Sequence, residues 1–186
     1  DTDRFYEVVG RDIRKYKIGI ALLLTMRGIP QLYYGTEINL YGSRSDGDAF
    51  VRKDFPGGWK NDKRNAFTDK GRTEEENEIW DFCSKLLNWR KNSKVVHTGK
   101  TMQFAPDNSD PNDADNVYTL FRYNKDKIVG LFINPDKKSL KIETKRFSEL
   151  TSNMKEYIDV IDGETKEWGE YFFIEENYFR LIEFEI

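Results

Sequence analysis

The stretch "GIPQLYYG", residues 28–35, decides the fold class of the first half of this chain. It is a short apolar and aromatic run with a glycine at each end and Pro30 near its start, which is typical of a buried strand entered through a tight turn. Residues 12–27 repeat apolar side chains at helical spacing and lead into Gly28, a favourable residue for ending a helix. A helix followed at once by a short buried strand predicts an α/β fold.

The sequence after this stretch predicts a loop and then a second helix. Residues 38–72 contain turn-forming clusters such as "SRSDGD" and "FPGGW", with enough aromatic side chains to predict a long but ordered loop. Residues 73–91 carry the clearest helical pattern in the chain. Thr73 and Glu76 have the spacing of a capping box, so the helix is expected to begin there. Cys83 falls on its apolar stripe and is interpreted as a core residue.

From about residue 100 the pattern changes from helical to alternating. Short strand-like runs follow, separated by turn signals: "TMQFA", "VYTLFRY", "KIVGLFIN", "KSLKIET", "KEYIDVID" and "FRLIEFEI". Antiparallel strands at this spacing predict a small β-sandwich. In the last run apolar and acidic residues alternate, which places Glu183 on the solvent face of a half-buried strand. We therefore divide the chain into an α/β portion, residues 1–97, and an all-β domain, residues 98–186.

The α/β portion is expected to be incomplete. Two helices and one strand cannot cover both faces of a parallel sheet by themselves. We therefore expect the neighbouring strands and helices to lie upstream of Asp1. The opening phrase "DTDRF", residues 1–5, has no initiating Met and is interpreted as a cut within a larger domain.

Composition and charge exclude several classes of function. The net charge of −3 argues against a nucleic-acid or anionic-membrane partner, because such partners need a basic face. The longest apolar run is far shorter than the roughly 20 residues of a membrane span. The single Cys83 excludes an internal disulfide, and the single His97, expected at the surface or between domains, excludes a multi-histidine zinc site. No cofactor or metal is expected, and the acid-rich residues 107–116 are interpreted as a solvated loop.

Several phrases of the first half together resemble one enzyme family. They are "DTDRF" (1–5), "GIPQLYYGTEI" (28–38), "VRKDFPGGW" (51–59), "NAFT" (65–68), "GRTEEENEIWDF" (71–82) and "LLNWRKN" (86–92). The chain resembles the α-amylase superfamily, glycoside hydrolase family 13, and its neopullulanase and cyclomaltodextrinase branch in particular. This resemblance implies the C-terminal end of a (β/α)8 TIM barrel followed by an antiparallel β-sandwich, domain C.

The resemblance also implies a catalytic role for Asp1. In that family an "HD" dipeptide ends the seventh barrel strand, and Asp1 stands where its Asp would be. A retaining glycosidase needs a nucleophilic carboxylate and an acid/base carboxylate, and the third carboxylate binds sugar hydroxyls and favours distortion toward the transition state. The nucleophile and the acid/base are expected upstream, so this chain by itself is predicted to be inactive. Read alone, Asp1 is an exposed terminal residue.

Substrate-binding residues follow from the same resemblance. Asp48 and Arg52, in "DAFVR", have the spacing of an Asp/Arg pair that grips glucose units, and a plain loop salt bridge is the alternative. Arg4 is a candidate polar partner near the site, whereas Asp3 is interpreted as a loop acid. Two further groups are weaker candidates: Tyr33, Tyr34, Gly35 and Glu37 at the end of the predicted strand, where the tyrosines are otherwise core, and Asp54, Phe55 and Trp59 as an aromatic wall.

The resemblance implies an enzyme that cleaves α-1,4-glucosidic bonds in maltodextrin, pullulan or cyclodextrin. Its partners would be α-glucan oligosaccharides and the rest of the barrel, and a periplasmic or extracellular location is expected. Two alternatives stay open. One is a transglycosylase of the same superfamily, and the other is a non-catalytic carbohydrate-binding module that uses aromatic side chains of the sandwich, Trp168, Tyr171 and Tyr178.

Overall fold

The computed structural model of the chain describes residues 2–106 and 116–186, so the candidate Asp1 and most of the acid-rich stretch at 107–116 lie outside the described residues. The described part divides into two compact units. The first comprises the residues up to Lys17 together with Pro30–Lys85, and the second comprises Ile18–Ile29 together with Leu86–Ile186. No described helix is both long and apolar enough to cross a membrane.

The first unit consists of helices joined by an ordered loop. Its helical elements are α1 (Phe5–Val8), the start of α2 (Ile13–Thr25), α3 (Asp48–Val51), most of α4 (Glu74–Asn92) and 3-10 turns at Thr36–Ile38, Arg44–Asp46 and Asp69–Gly71. Tyr6 and Tyr16 are buried, with their ring centroids 5.0 Å apart. A second cluster joins Ile38, Leu40 and Ala66 under the loop. The long loop is therefore ordered by packing, as its aromatic content predicted.

The beginning of α4 confirms the predicted capping box. The Thr73 hydroxyl accepts a hydrogen bond from the Glu76 N–H at 3.1 Å, and the Glu76 carboxylate accepts one from the Thr73 N–H at 2.8 Å. Two N–H groups that the helix itself leaves without acceptors are thereby satisfied. Cys83 is buried on the apolar face of α4, also as predicted.

The prediction of a strand at residues 28–35 is wrong. The segment contains no strand, and the side chain of Ile29 is 98% exposed. A β-strand requires a neighbouring strand to take up its N–H and C=O groups, and no described segment pairs with this one. The apolar pattern therefore marks a segment that lacks a pairing strand among the described residues.

The second unit is mostly antiparallel β-sheet. A six-stranded sheet has the order β1-β2-β3-β8-β5-β6, and β4 pairs with β7 in a second, two-stranded sheet. Their bounds are β1 Lys100–Phe104, β2 Tyr118–Tyr123, β3 Lys127–Asn134, β4 Leu140–Glu143, β5 Glu156–Asp159, β6 Thr165–Glu167, β7 Tyr171–Ile174 and β8 Tyr178–Glu185. The unit also contains the ends of α2 and α4, two short helices, α5 (Lys94–Thr98) and α6 (Ser148–Thr151), and a 3-10 turn at Thr144–Phe147. All six predicted strand-like runs are strands, whereas β6 and β7 were not predicted.

An aromatic cluster forms the core of this unit. Phe121, Phe132 and Phe147 are completely buried, and the Phe121 and Phe132 rings meet edge to face at 5.4 Å. Leu140 and Ile174, from the two-stranded sheet, belong to the same buried cluster. Both sheets therefore bury apolar faces in one core, as expected of a sandwich.

One feature of β8 differs from the sequence prediction. Glu183 was expected on a solvent face but is 8% exposed. Trp89 of α4 donates its indole N–H to Glu183 at 2.7 Å, and the Lys127 ammonium lies 2.9 Å from the same carboxylate. The alternating pattern failed here because a buried carboxylate can be accommodated when it is hydrogen-bonded and paired.

Candidate functional site

The side chain of Arg4 is the centre of the candidate site. Arg4 is 5% exposed, and its Nε donates to the main-chain oxygen of Val51 at 2.6 Å while Nη1 donates to the main-chain oxygen of Tyr34. Its backbone N–H donates to the oxygen of Gly42 at 3.0 Å. One residue near the beginning of the chain therefore joins three segments that are distant in sequence.

Two tyrosine rings flank the Arg4 guanidinium. Its central carbon lies 4.6 Å from the ring centroid of Tyr33 and 4.6 Å from that of Tyr34. The Tyr34 hydroxyl lies 2.9 Å from the main-chain oxygens of Arg52 and Lys53. Burial, and next the adjacent Tyr33 hydroxyl, raise the pKa of Tyr34, so this group stays a neutral donor. Both tyrosines are partly exposed in this chain.

The predicted Asp48 and Arg52 pair lies on the segment that Arg4 and Tyr34 hold. Asp48 begins α3 and Arg52 follows its last residue, Val51. The Asp48 Oδ2 and Arg52 Nη2 atoms are 3.6 Å apart, and the side chains are 59% and 53% exposed. A carboxylate and a guanidinium presented side by side to solvent can accept from and donate to neighbouring hydroxyls of one ligand. Arg4 therefore contacts the backbone of the short segment that carries Asp48 and Arg52, while its own side chain is buried.

Asp3 fixes the loop beside this site. Its Oδ1 accepts hydrogen bonds from the Ser43 hydroxyl at 3.2 Å and from the Arg44 N–H at 2.5 Å. Ser43 precedes the 3-10 turn at Arg44–Asp46, so the contact sets the course of the chain just before α3. This geometry agrees with the interpretation of Asp3 as a loop acid.

The proposed aromatic wall is divided in the structure. Trp59 is largely exposed and donates its indole N–H to Asp54 at 2.9 Å. Phe55 instead packs against Phe67, with ring centroids 4.6 Å apart, and against the apolar cluster of Ile38, Leu40 and Ala66. Of the two rings in the proposed wall, that of Trp59 is presented to solvent and has a polar partner, Asp54.

Cys83, His97 and possible metal ligands were the other candidates for chemistry. Burial raises the pKa of the Cys83 thiol to about 12, so this sulfur is protonated at neutral pH. His97 is exposed on α5, as expected. Over residues 2–106 and 116–186, no cluster of three His, Cys, Asp or Glu side chains is arranged to hold a metal ion.

Sequence reasoning missed one polar network in the first unit. Tyr6 donates its hydroxyl to Glu75 at 2.8 Å, and the Asn39 side-chain amide donates to the same carboxylate oxygen. The three residues stand 33 to 69 positions apart, so periodicity and spacing carry no signal of their contact. The network lines a cavity of about 430 Å³.

The second unit matches the model of a known protein family. Residues 101–183 match the family model described as the cyclo-malto-dextrinase C-terminal domain. The antiparallel sheet correspondingly resembles the C-terminal β domain of α-amylases.

Curated relatives extend the similarity to the whole chain. The maltogenic α-amylase of Bacillus acidopullulyticus is 26% identical over 188 residues, covering 99% of this chain and 28% of that protein. The α-amylase SusG of Bacteroides thetaiotaomicron is 40% identical over 70 residues, covering 38% of this chain and 10% of that protein. The cyclomaltodextrinase of Geobacillus thermopakistaniensis is 30% identical over 107 residues, covering 58% and 16%. The chain thus spans less than a third of each of these relatives.

Solved structures share the fold over nearly the full chain. The α-amylase from Geobacillus thermoleovorans, complexed with acarbose, superposes with a TM-score of 0.69 at 20% identity over 98% of this chain and 36% of that chain. The γ-cyclodextrin glucanotransferase from Bacillus clarkii gives a TM-score of 0.66 at 26% identity over 100% and 25%. The chain is similar over its whole length to proteins of the α-amylase family, and its residues 101–183 match the C-terminal domain of the cyclomaltodextrinase type.

Proposed function

We propose that this chain is the C-terminal part of a retaining α-glucan glycoside hydrolase that cleaves α-1,4 bonds in maltodextrin, pullulan or cyclodextrin. The observation that carries the proposal is the joining of Arg4 to the segment of Asp48 and Arg52. The opening phrase "DTDRF" and the "DAFVR" pair are the two parts of the chain that the family resemblance assigns to sugar contact. The Arg4 hydrogen bond connects them in space.

Asp1 is the proposed catalytic residue of this chain. Its carboxylate would accept hydrogen bonds from sugar hydroxyls and favour the distorted, oxocarbenium-like ring of the transition state. The nucleophile that forms the glycosyl intermediate and the acid/base that protonates the leaving oxygen would come from upstream segments. The chain alone is therefore expected to bind glucan weakly and to hydrolyse none.

The rest of a (β/α)8 barrel is the proposed partner of the first residues of this chain. Large apolar side chains lie open to solvent in each unit near residues 28–35: Leu23, Met26 and Ile29 in the second unit, and Tyr33 and Tyr34 in the first. Clustered exposed apolar residues mark surfaces that pack against other protein. A parallel neighbour of residues 28–35 would supply the missing main-chain hydrogen bonds and cover Ile29.

Activity measurements on the full-length protein and on this chain test the proposal. We expect release of reducing sugar from maltodextrin by the full-length protein and none by the 186-residue chain. Asp1→Asn in the full-length protein should lower kcat at least about 100-fold, since it removes an interaction that strengthens in the transition state. Asp46→Asn, the same change at an exposed acid of the 3-10 turn Arg44–Asp46, is the matched control. An unchanged kcat for Asp1→Asn would contradict the assignment.

The Asp48 and Arg52 pair has its own kinetic test. Asp48→Asn should raise KM for maltodextrin with little change in kcat, because a contact to a glucose unit away from the scissile bond stabilises ground and transition states alike. A fall in kcat with unchanged KM would argue against a binding role. Analysis of transfer products at high substrate distinguishes hydrolysis from the alternative of transglycosylation.

A second candidate function, carbohydrate binding without catalysis, has one observation in its favour. Tyr171 and Phe173 project outward from β7, with ring centroids 5.7 Å apart, and the Lys141 ammonium lies 4.1 Å above the Tyr171 ring. These strands border a cavity of about 680 Å³. Trp168 is buried in the core and Tyr178 packs on Phe179, so of the three predicted aromatic residues only Tyr171 is well exposed.

Calorimetry with maltoheptaose separates the two candidates. If the second unit binds glucan, Tyr171→Ala in the 186-residue chain should abolish the binding heat, whereas Trp59→Ala in the first unit should leave it unchanged. Binding heat that survives Tyr171→Ala would exclude this surface as the glucan site.

A further inference from the structure

Lys53 lines a cavity of about 430 Å³ in the first unit that the proposed activity does not use. Its ammonium lies 4.1 Å from the ring centroid of Tyr41 and 5.7 Å from that of Phe50. The Tyr34 hydroxyl lies 2.9 Å from the Lys53 main-chain oxygen, so the backbone of this lysine is held as well. The side chain is half-buried, and a small molecule in the cavity can therefore reach its amine.

The carboxylates around the cavity are engaged with other groups. Each of the three that line it accepts a hydrogen bond from another side chain: Glu76 from Arg64, Glu75 from Tyr6 and Asp54 from Trp59. Within residues 2–106 and 116–186, no carboxylate forms an ion pair with Lys53. The Lys53 ammonium therefore lacks the counter-ion that a half-buried lysine usually has.

Cations prevail around Lys53. The Arg11 guanidinium lies 4.1 Å from the ring of Tyr41, the same ring that the Lys53 ammonium contacts. Four charged groups act on the Lys53 amine: the cations Arg4, Arg11 and Arg64 and the carboxylate Glu7. Glu7 is itself paired with Arg11 at 3.0 Å. Burial, and next the charges of Arg4 and Arg11, lower the pKa of Lys53, so its amine is neutral more often than that of a surface lysine.

A neutral lysine amine is a nucleophile, and its surroundings favour one class of electrophile. Reaction with an aldehyde ends in a protonated imine, which is again a cation, and reaction with an acyl donor ends in a neutral amide. Reaction with carbon dioxide ends in a carbamate, which is an anion. Only this last product gains from the same cations that disfavour the ammonium.

We propose that the Lys53 amine is a carbamate site for dissolved carbon dioxide, with Arg11 and Arg64 as the cations that stabilise the product. The nitrogen lone pair forms a bond to the carbon of carbon dioxide, one C=O electron pair moves onto oxygen, and the nitrogen releases one proton to solvent. The products are one carbamate anion and one proton, and the reverse step restores the amine. The site includes neither Asp48 nor Arg52 and does not depend on the proposed glycosidase activity.

Labelled bicarbonate tests the proposal on the 186-residue chain. In carbon-13 bicarbonate at about pH 8, well below the usual lysine pKa of about 10.4, we expect a carbamate signal in the carbon-13 NMR spectrum. Methylation with trimethyloxonium fixes the carbamate, and mass spectrometry of tryptic peptides should locate it at Lys53. The α-amino group, with a usual pKa of about 7.7–8.0, can react as well, and the peptide masses distinguish the two positions.

Matched variants separate the amine from its surroundings. Lys53→Arg keeps a cation beside Tyr41 and should abolish the modified peptide, whereas Lys60→Arg, at an exposed lysine, should leave it unchanged. Arg11→Gln should lower the occupancy of Lys53 about three- to tenfold, because it raises the pKa of the amine and removes a positive charge from around the carbamate. Arg14→Gln, at an exposed arginine of α2, is the control for that change.

Three results would overturn the proposal. They are the absence of a modified Lys53 peptide, modification of Lys60 to the same extent as Lys53, and occupancies that Arg11→Gln and Arg14→Gln change equally. Arg11→Gln keeps the reacting amine, so the comparison with Arg14→Gln decides the matter even if Lys53→Arg unfolds. The activity of the full-length Asp1→Asn protein bears only on the glycosidase.

Discussion

The Nε atom of Arg4 donates a hydrogen bond of 2.6 Å to the main-chain oxygen of Val51, 47 residues further along the chain. Val51 ends α3, and Asp48 begins it, so one buried guanidinium fixes the short helix that carries the exposed ion pair. A helix of one turn is unstable by itself. Its position therefore depends on contacts such as this one.

Replacing Arg4 with lysine should loosen this segment. Arg4→Lys keeps the charge but removes the fork that reaches both Val51 and Tyr34, which leaves a buried carbonyl without a donor. We expect a loss of about 1–3 kcal/mol in the free energy of unfolding. Hydrogen exchange of residues 48–53 should become faster.

Arg11→Lys is the control for this change. Arg11 pairs with Glu7 at the surface, so lysine can replace it at a cost of less than about 1 kcal/mol. If Arg4→Lys and Arg11→Lys have the same effect on exchange at residues 48–53, the positioning role of Arg4 is wrong.

The capping box of α4 should make stability depend on acid pH. Burial alone raises the pKa of Glu76, but hydrogen bonds from Arg64 and the Thr73 N–H outweigh it and leave the pKa below its usual value. A carboxyl with a lowered pKa in the folded state stabilises fully above its unfolded pKa of about 4.3. That stabilisation is lost as the pH falls through the lower, folded-state pKa.

Glu76→Gln should therefore flatten the pH dependence of the unfolding free energy below about pH 4.3. Glutamine still accepts from the Thr73 N–H but carries no charge for Arg64. Glu74→Gln changes the first residue of the same helix without a hydrogen bond to lose among the described residues, and should keep the wild-type slope. Urea unfolding between pH 3 and 7 measures both, and equal slopes for the two variants would refute the assignment.

The sequence correctly predicted features that depend on residues close together in the chain. The capping box and the apolar stripe of α4 depend on residues three and four apart, and both are present. The strand at residues 28–35 failed because a strand is defined by its partner, and the pattern within one segment says nothing of that partner. Strand β4 (LKIE) was predicted because polar and apolar residues alternate in it, whereas β6 (TKE) is wholly polar and β7 (YFFI) is wholly apolar or aromatic, so neither shows the pattern.

In the candidate site too, the sequence revealed residues that are linked by local spacing and missed those that depend on long-range contacts. Asp48 and Arg52 were found because they lie four residues apart, and Arg4 because it stands in a recognisable phrase. Asn39 was missed because its partner Glu75 is 36 residues away and neither residue type suggests burial in a loop. Contacts of this kind become visible only when the chain is folded.

Arg122 should be essential for the end of α2. It is completely buried, and its guanidinium donates to the main-chain oxygens of Thr25 at 3.3 Å and Gly99 at 2.8 Å. Arg90 donates to Leu24 and Gly28 nearby. Cations at the C-terminal end of a helix satisfy its last carbonyls and offset its dipole. Arg122→Met should therefore lower the free energy of unfolding by about 2–4 kcal/mol, because the main-chain oxygens of Thr25, Gly99 and Lys100 lose their donor.

Arg27→Met provides the comparison for Arg122. Arg27 is exposed, and a surface substitution of this kind changes stability by less than about 0.5 kcal/mol. Circular dichroism during urea unfolding measures both variants. An Arg122→Met protein as stable as Arg27→Met would show that water replaces the lost donors.

Gly130 should be the least replaceable glycine of the aromatic core. It lies in β3 between β2 and β8, and a Cβ atom there would lie 2.8 Å from the Phe132 ring and 2.9 Å from the Phe121 ring. Both rings are completely buried and packed edge to face, so neither can move without disturbing the other. Gly130→Ala should lower the free energy of unfolding by about 1–3 kcal/mol through overpacking.

At Gly169 an added Cβ meets no atom within 4 Å, so Gly169→Ala should be neutral or stabilising by up to about 1 kcal/mol. Urea midpoints of the two variants test the packing directly, because the chemical change is identical and only the surroundings differ. A Gly130→Ala midpoint equal to that of Gly169→Ala would mean that the core has room for a methyl group beside Phe132.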